Sequence, residues 1–278
     1  MKGPVLALVA AGPLSRSFIT RLAVLPERLG PVLAPSYRLA SRLVNSLGAG
    51  YAVRHYRQLS KAQLVLIAVP EALLEDTLDR LAGAELNWQG KIAVLCDDRL
   101  DCAALDSLSR KGAARASLST IPGLAGQFLI EGERAAVREV KRLLARAAER
   151  IYELPCGNKA LFLAGLTFAG SLSLPAADAA AKCLRLCGLP ASAARVICGD
   201  ILEKARRAYL HAGRKAFSGA LAEGDASQVA RELAALEQLD PSLAGAYRSL
   251  ACLALERFQK NLHPLKGPFL TPGETAPR

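Results

Sequence analysis

The sequence lacks any spacing of cysteine and histidine that would cross-link a small domain or hold a metal ion. Its seven cysteines, an odd number, are scattered, and none forms a Cys-x-x-Cys pair. Cys183 and Cys187 stand one helical turn apart, but the three histidines form no ligand pattern with them. These absences exclude a disulfide scaffold and a zinc site. They predict buried, reduced thiols in a cytoplasmic protein.

Aromatic residues are scarce, at 5% of the chain, whereas 51% of the 278 residues are hydrophobic. A chain of this length and composition can bury a substantial core, which predicts two domains and excludes disorder. The net charge of +11 is spread along the chain. Its densest stretch has helical spacing and consists of Arg134, Arg138, Lys141, Arg142, Arg146 and Arg150. Without an aromatic platform, this stretch predicts a solvated helix face, with nucleic-acid binding the less favoured alternative.

Charge is absent from Ala160–Ala177, and these eighteen residues are long enough to suggest a membrane-spanning helix. The stretch is rich in small residues and contains Gly165, Gly170 and Pro175. A helix that is apolar on every side also occurs at the centre of a large soluble core. We interpret the stretch in that second way and expect no membrane span.

Two of the three glycines that mark a dinucleotide-binding turn are missing near the amino terminus. The apolar run Val5–Ala11 leads through a short turn into a helix-like stretch, Arg16–Leu25. Aligned on Gly-x-Gly-x-x-Gly, the sequence has Ala10, Gly12 and Ser15. Gly12 holds the position where pyrophosphate approaches the backbone, so a phosphate is not excluded. The alternative is a strand–helix turn that binds no ligand.

Acidic residues are absent between residues 28 and 57, where a cofactor with a free ribose 2′-hydroxyl usually meets Asp or Glu. The second strand is predicted at Pro31–Ala34, and Ser36 and Arg38 follow it. A hydroxyl donor and a fixed cation suit a 2′-phosphate, which favours NADP over NAD. Alternatively, Arg38 and Arg42 are simply the solvated face of the next helix.

Strand-like runs alternate with helical patterns of about ten residues, which is typical of parallel βαβ units. Further strands are predicted at Ala52–Val53, Leu64–Val69, Ile92–Cys96, Ala116–Leu118, Phe128–Glu131 and Ile151–Leu154. After Asn158 only helices are predicted, at Lys159–Cys187 with a kink at Pro175, Ala191–His211, Asp225–Leu239 and Pro241–Gln259. The predicted fold class is therefore α/β. A Rossmann-type parallel sheet domain (1–155) precedes an all-α helical domain (156–260) and a loose tail (261–278).

These segments resemble Rossmann-like proteins that carry a C-terminal helical domain of unknown function, distant relatives of pyrroline-5-carboxylate reductase and ketopantoate reductase. The resemblance covers about residues 4–258. Its most specific part is Ser218-Gly219-Ala220, Gly224-Asp225 and Asp240-Pro241 followed by Tyr247. It implies a helical domain like that of 6-phosphogluconate dehydrogenase relatives and a homodimer formed through the helices.

The sequence departs from this family where proton donors are expected. The family's Tyr-His and Asn on the long helix are replaced by Phe162, Leu163 and Ser171. A His-Pro pair is replaced by Ser119-Thr120, and a further His is replaced by Cys96. Apart from the Cys96 thiol, these replacements titrate poorly near neutral pH.

The catalytic candidates that remain are Lys159, Ser171 and Ser218, with Cys96 as a further possibility. Lys159 has the alternative role of an exposed lysine at a helix start, and Ser218 that of a helix cap. The cofactor-binding candidates are Ala11, Gly12, Leu14, Ser15, Ser36, Arg38, Val69 and Pro70.

The resulting expectation is an NADP-preferring protein of the oxidoreductase superfamily that transfers hydride to a small carbonyl or imine. The alternative is a non-catalytic nucleotide-binding or interaction module descended from such a reductase. The loss of histidines favours the second hypothesis, whereas Gly12, Ser36 and Arg38 favour the first.

Overall fold

The computed structural model describes residues 5–11, 25–145, 148 and 150–258. The chain divides into two compact units, Met1–Thr167 and Phe168–Arg278. All described strands lie in the first unit, and the second is helical. The predicted domain borders at residues 155 and 260 stay predictions.

The first unit is built on one eight-stranded sheet. Its strands are β1 (Leu6–Ala10), β2 (Leu29–Leu33), β3 (Tyr51–Ala52), β4 (Leu64–Ala68), β5 (Ile92–Cys96), β6 (Ala114–Ile121), β7 (Leu124–Gly132) and β8 (Arg150–Leu154). They are ordered β3-β2-β1-β4-β5-β6-β7-β8, and all neighbours are parallel except β6 and β7. The first six strands thus have the order of a doubly wound dinucleotide-binding sheet, which confirms the predicted fold class.

Helices cover both faces of this sheet. One face is covered by α2 (Tyr37–Leu47) and α5 (Arg134–Leu144), and the other by α3 (Glu71–Gly83) and α4 (Asp106–Ser109). The short helix α1 (Leu25–Arg28) precedes β2, and α6 (Lys159–Ala169) follows β8. Side chains of β1 alternate between two buried clusters: Leu8 joins the cluster that includes α2 and α5, and Val9 joins the one that includes α3. Strands buried on both faces read as continuous apolar runs, as β1 and β4 do.

Strands β6 and β7 form an antiparallel hairpin that was not predicted from the sequence. Only short strands were expected there, within parallel βαβ units. The two residues Pro122 and Gly123 join β6 to β7, and Gly123 has a φ of +79°. A two-residue connection forces an antiparallel pair because a parallel crossover needs a dozen or more residues.

The second unit contains α7 (Ser173–Leu186), α8 (Ala191–Ala212), α9 (Ala220–Glu223), α10 (Ala226–Leu239) and α11 (Pro241–Phe258). The predicted single helix over Lys159–Cys187 is wrong, because it is interrupted after Ala169 and resumes at Ser173. Pro175 therefore lies in the first turn of α7, where its missing N–H costs nothing. The starts of α10 and α11 are as expected, since Asp225 and Asp240 accept hydrogen bonds from Gln228 and Ser242 backbone N–H groups.

The helical stretch Lys159–Leu186 is long and apolar enough to cross a membrane by length and composition alone, with a mean hydropathy of 1.6. The expectation that it forms the centre of a core is not met within the single chain, because none of its most apolar window is buried. In α7 and α8, Leu174 is 68% exposed and Leu210 is 71% exposed. The second unit therefore leaves a large apolar surface uncovered.

Candidate functional site

The candidate site lies at the carboxyl ends of β1, β2 and β4. The strand order reverses at β1, since the chain passes from β1 to β2 on one side and returns to β4 on the other. In open α/β sheets, ligands bind in the crevice that this reversal creates outside the carboxyl ends of the strands.

A cavity of about 150 Å³ opens at this point. It is lined by Val9, Ala10, Ala11, Leu33, Ala34, Pro35, Tyr56, Val69, Leu73, Asp76, Thr77 and Arg80. Pockets for whole drug-sized ligands are larger, roughly 300–1,000 Å³. This cavity therefore suits one planar ring, and the rest of a dinucleotide would have to lie outside it.

Polar groups stand along the α3 side of the cavity. Arg80 donates to Asp76 at 3.0 Å, and the Thr77 hydroxyl donates to the Leu73 carbonyl oxygen at 2.7 Å. Burial raises the pKa of Tyr56, so its phenol stays protonated. The wall thus offers a phenol and a hydroxyl oxygen beside apolar strand ends, a combination that can both sandwich and orient a base.

The end of β1 is regular as far as Ala11. Ala10 is fully buried in the strand, and no described residue other than glycine has a positive φ, so Ala10 carries no such strain. The Ala11 N–H donates to the Ala68 carbonyl oxygen at 3.2 Å. Three predicted contacts in the turn lie outside the described residues: Gly12, Leu14 and Ser15.

Ser36 and Arg38 lie where the prediction needs them, at the carboxyl end of β2. Ser36 caps α2, and its Oγ accepts a hydrogen bond from the Leu39 N–H at 3.2 Å. Because that oxygen acts as an acceptor, its own hydrogen remains available to donate outward. Arg38 is exposed, and within the described residues it makes no ion pair. Arg42 is exposed as well.

The structure adds Arg54 to this edge, a residue that was not among the predicted cofactor-binding candidates. The register pairs Pro31 with Tyr51 and Val32 with Ala52, so Arg54 follows β3 level with the end of β2. Its guanidinium carbon lies 4.2 Å from the centre of the Tyr37 ring. In the sequence, the position of Arg54 is indicated only by the short strand predicted just before it.

Val69 and Pro70 follow β4 on the other side of the crevice. Val69 is buried in the cavity wall, and the exposed Pro70 precedes α3. Neither side chain donates a hydrogen bond, so both can shape the crevice by packing alone.

Lys159, the first catalytic candidate, is 1% exposed. Its Nζ donates to the carbonyl oxygens of Asp97 and Leu100 at 2.5 and 2.6 Å. The expected alternative of an exposed lysine at a helix start is therefore wrong. Burial lowers the pKa of Lys159, while the nearby Asp97 carboxylate opposes that shift. Lys159 fixes the loop after β5 in this arrangement.

The other donor candidates are Cys96, Ser171 and Ser218. Cys96 is buried at the end of β5, and burial raises its pKa to about 12, which makes it a weak acid near neutral pH. Ser171 and Ser218 belong to the second unit, and both are exposed. Ser171 lies between α6 and α7, and Ser218 lies two residues before α9. Ser218 makes no cap hydrogen bond to α9, which begins after Gly219.

The prediction of buried, reduced thiols is met only in part. All seven are free thiols, but burial holds for Cys96 and Cys102 alone. Cys156 and Cys187 are exposed, and the remaining three are intermediate. Reduced thiols therefore fit the structure, whereas their general burial does not.

A family model described as a domain of unknown function, DUF2520, matches residues 127–253. No curated protein matches the sequence. The matched segment begins in β7 and ends in α11, so it includes no part of the candidate site at the ends of β1, β2 and β4.

Several solved structures are similar over nearly the whole chain. A candidate NADP oxidoreductase from Bacteroides fragilis is 16% identical, with a TM-score of 0.74 over 92% of this chain and 99% of that one. An imine reductase variant from Myxococcus stipitatus in complex with NAD+ is 16% identical, with a TM-score of 0.64 over 97% and 100%. An imine reductase from Aspergillus terreus in complex with NADPH4 and dibenz[c,e]azepine is 14% identical, with a TM-score of 0.57 over 92% and 87%. Identities this low show a shared fold and leave the activity open.

Proposed function

We propose that this chain binds NADP at the carboxyl ends of β1, β2 and β4 and acts as an NADP-dependent oxidoreductase. The single observation that carries the proposal is the ring-sized cavity at the reversal of strand order, with Ser36, Arg38 and Arg54 on its β2–β3 side. Two similar structures are reductases that hold NAD+ or a reduced NADP derivative, which supports the same assignment.

The residues present fit the adenosine half of the cofactor. The apolar strand ends and Tyr56 would hold the adenine ring, and Gly12 is the predicted point of approach for the diphosphate. Arg38 and Arg54 would bind the 2′-phosphate as exposed cations, with the Ser36 hydroxyl donating to it. Arg54 is already stacked on Tyr37, so its guanidinium would lose less conformational entropy when the cofactor binds.

The reaction we propose is hydride transfer to a small carbonyl or imine. NADPH, when bound, supplies the hydride. The chain would have to supply a proton, for which Lys159, Ser171 and Ser218 remain the candidates. Lys159 uses two of its three N–H groups on backbone carbonyl oxygens, which leaves one for a substrate.

The second candidate function is nucleotide binding without catalysis. It is favoured by the environment of Lys159 and Cys96, because the lysine is almost fully buried and the thiol is a very weak acid. In this alternative, the same cofactor site would serve a sensor or interaction module.

We also propose that the protein is a homodimer that associates through the helical unit. Exposed large apolar side chains are concentrated in α6, α7 and α8, for example Leu161, Leu174, Val196, Ile201 and Leu210. A second copy would cover this surface and give Lys159–Leu186 the burial that the single chain lacks.

We further propose that the protein is soluble and lies in the cytoplasm, because its free thiols suit a reducing environment. We expect no nucleic-acid partner.

Fluorescence titration with NADPH and NADH tests the cofactor assignment. Arg54→Ala should weaken NADPH roughly tenfold because one charge-assisted contact is lost, and NADH binding should not change. Arg42→Ala, one helical turn beyond Arg38, is the matched control and should leave both affinities unchanged. If neither nucleotide binds at millimolar concentration, the assignment is wrong.

Loss of NADPH absorbance in the presence of small carbonyls and imines then separates the two candidate functions. Turnover of any member of the panel supports the oxidoreductase. Tight NADPH binding without turnover across the whole panel supports the non-catalytic module.

A further inference from the structure

Two cysteines that are 54 residues apart in sequence meet outside the candidate nucleotide site. Cys102 begins the 3₁₀ turn Cys102–Leu105 after β5, and Cys156 precedes α6. Their Sγ atoms lie 2.7 Å apart, close to the S–S bond length of about 2.05 Å. Both residues belong to the first unit. A small movement would bring the two sulfur atoms to bonding distance.

The two thiols differ in access to solvent. Cys102 is 1% exposed, whereas Cys156 is exposed. A reagent in solution therefore has access to Cys156 rather than to Cys102.

The surroundings of Cys102 keep its thiol protonated. Burial raises the pKa of Cys102, and the hydrogen bond with Cys156 raises it further. The carboxylate of Glu131 adds to this effect and accepts the Cys102 backbone N–H at 2.7 Å. Glu131 is fully buried, and its Oε2 has no hydrogen-bond partner within the described residues. Because Cys156 is exposed and Cys102 is buried beside it, Cys156 would be the first nucleophile and Cys102 the resolving thiol.

We propose that Cys102 and Cys156 form a reversible redox site that closes into a disulfide by exchange with a low-molecular-weight disulfide such as oxidised glutathione. In the first step the Cys156 thiolate attacks the reagent, forms a mixed disulfide and releases one thiolate. In the second step the Cys102 sulfur attacks Cys156 Sγ, and its proton leaves with the second reagent thiol. Two protein thiols are oxidised, and one reagent disulfide is reduced to two thiols.

The disulfide would reinforce a connection that already exists. Lys159, three residues after Cys156, donates to the carbonyl oxygens of Asp97 and Leu100, just before Cys102. Oxidation would add a covalent link between the same two segments, the loop after β5 and the start of α6. This inference does not rest on the proposed function, because it needs no cofactor.

The test is oxidation of the full-length, reduced protein in a glutathione buffer of increasing oxidised fraction. Trypsin should release Cys102 in the peptide 100–110 and Cys156 in the peptide 151–159, and each contains a single cysteine. We expect these two peptides to become linked in a yield roughly tenfold above any other cysteine pair, because native proximity raises the effective concentration. Dithiothreitol should reverse the link.

Three variants make the result decisive. Cys156→Ser, at an exposed position, and Cys102→Ala should each abolish the link, and Cys102→Ala should instead accumulate glutathione on Cys156. The double variant Cys183→Ser, Cys187→Ser is the matched control and should form the link as the wild type does. A wild-type protein that only acquires glutathione on Cys156, or that links other cysteines equally well, overturns the proposal.

The urea midpoint of the first unit gives a second readout, followed by the fluorescence of Trp88, the only tryptophan. A disulfide that fits the native fold raises this midpoint on oxidation, because it restricts the unfolded chain. A lower midpoint for the oxidised protein contradicts a native pair.

Discussion

The two units bury their apolar residues in different ways. In the first unit, strands β1 and β4 are covered on both sides, and side chains such as Leu8 and Leu66 have no exposed surface. In the second unit, α7 contains no buried residue, although it is largely apolar. The first unit therefore buries a large apolar core within one chain, whereas the second buries a smaller cluster around Val229, Ala251 and Leu255 and leaves much of its apolar surface exposed.

Fully buried ionisable side chains are found in the first unit, whereas exposed ion pairs occur in both units. Lys159 and Glu131 in the first unit are buried and bound to backbone groups. In the second unit, ion pairs such as the one that Glu203 makes with Arg206 lie in solvent. Substitution of these buried polar residues of the first unit should therefore act on folding, whereas substitution of Glu203 should have a small effect.

The largest effect should come from emptying the sheet core. Leu66→Ala removes a fully buried side chain at the centre of β4 and should cost roughly 2–5 kcal/mol in the free energy of unfolding, since a cavity remains. Urea unfolding followed by Trp88 fluorescence measures this loss. Leu124→Ala, at an exposed position of the same sheet, should change stability by about 0.5 kcal/mol or less. Equal losses at the two positions would contradict the contrast between core and surface.

The next effect concerns association. Leu174→Glu combined with Leu210→Glu places carboxylates on the exposed apolar faces of α7 and α8. If the protein is the homodimer that we propose, this variant should dissociate at concentrations roughly a hundredfold above the wild-type value, because unpaired charges would be buried at the interface. Size-exclusion chromatography with light scattering gives the mass at each concentration.

Leu124→Glu is the control for this experiment, because Leu124 is an exposed apolar residue of the first unit. It should remain dimeric. If the wild-type protein is monomeric at all concentrations, the dimer proposal is wrong. The apolar surface of the second unit would then have to bind a different partner.

The elements that could be predicted from sequence are those with a local cause. The run Leu64–Ala68 is buried because it is apolar throughout, and Gly48 ends α2 in the left-handed conformation that glycine favours. The hairpin β6–β7 was missed because its extent depends on pairing between strands. The helix is interrupted after Ala169, whereas a kink was predicted at Pro175. The prediction was wrong because proline is tolerated in the first turn of a helix, which is where Pro175 lies.

The candidate site was predictable only in part for the same reason. Ser36 and Arg38 follow the second strand directly, so their position could be read from the chain. Arg54 lies at the same edge because β3 pairs in parallel with β2. A strand of only two residues gives too weak a sequence pattern to predict that pairing. The partners of Lys159 are backbone carbonyl oxygens about 60 residues away, and such contacts have no sequence pattern.

A smaller effect separates two roles for Lys159. Lys159→Met removes both hydrogen bonds to the loop after β5 and should cost about 1–3 kcal/mol, because buried carbonyl oxygens lose their donor. Chemical denaturation measures this cost. Lys182→Met breaks the more exposed pair with Asp240 in the second unit and should cost about 1 kcal/mol or less. Unchanged stability together with lost NADPH turnover would instead identify Lys159 as the proton donor.

The smallest effect should come from the exposed charges of α8. Hydrogen bonds from Arg206 and Arg207 lower the pKa of Glu203 to about 2. A carboxyl pKa that is lower in the folded state contributes stability above its ordinary value of about 4.3 and loses that contribution as pH falls toward about 2. The difference in melting midpoint between the wild type and Glu203→Gln should be small near neutral pH, shrink as the pH falls through this window, and decrease in high salt. Glu256→Gln removes the same charge from α11, where Glu256 has no ion pair within residues 150–258, and should show no such dependence. A large difference at neutral pH that salt does not reduce would mean that the Glu203 cluster is buried in the assembled protein, which would place this part of α8 inside the dimer interface.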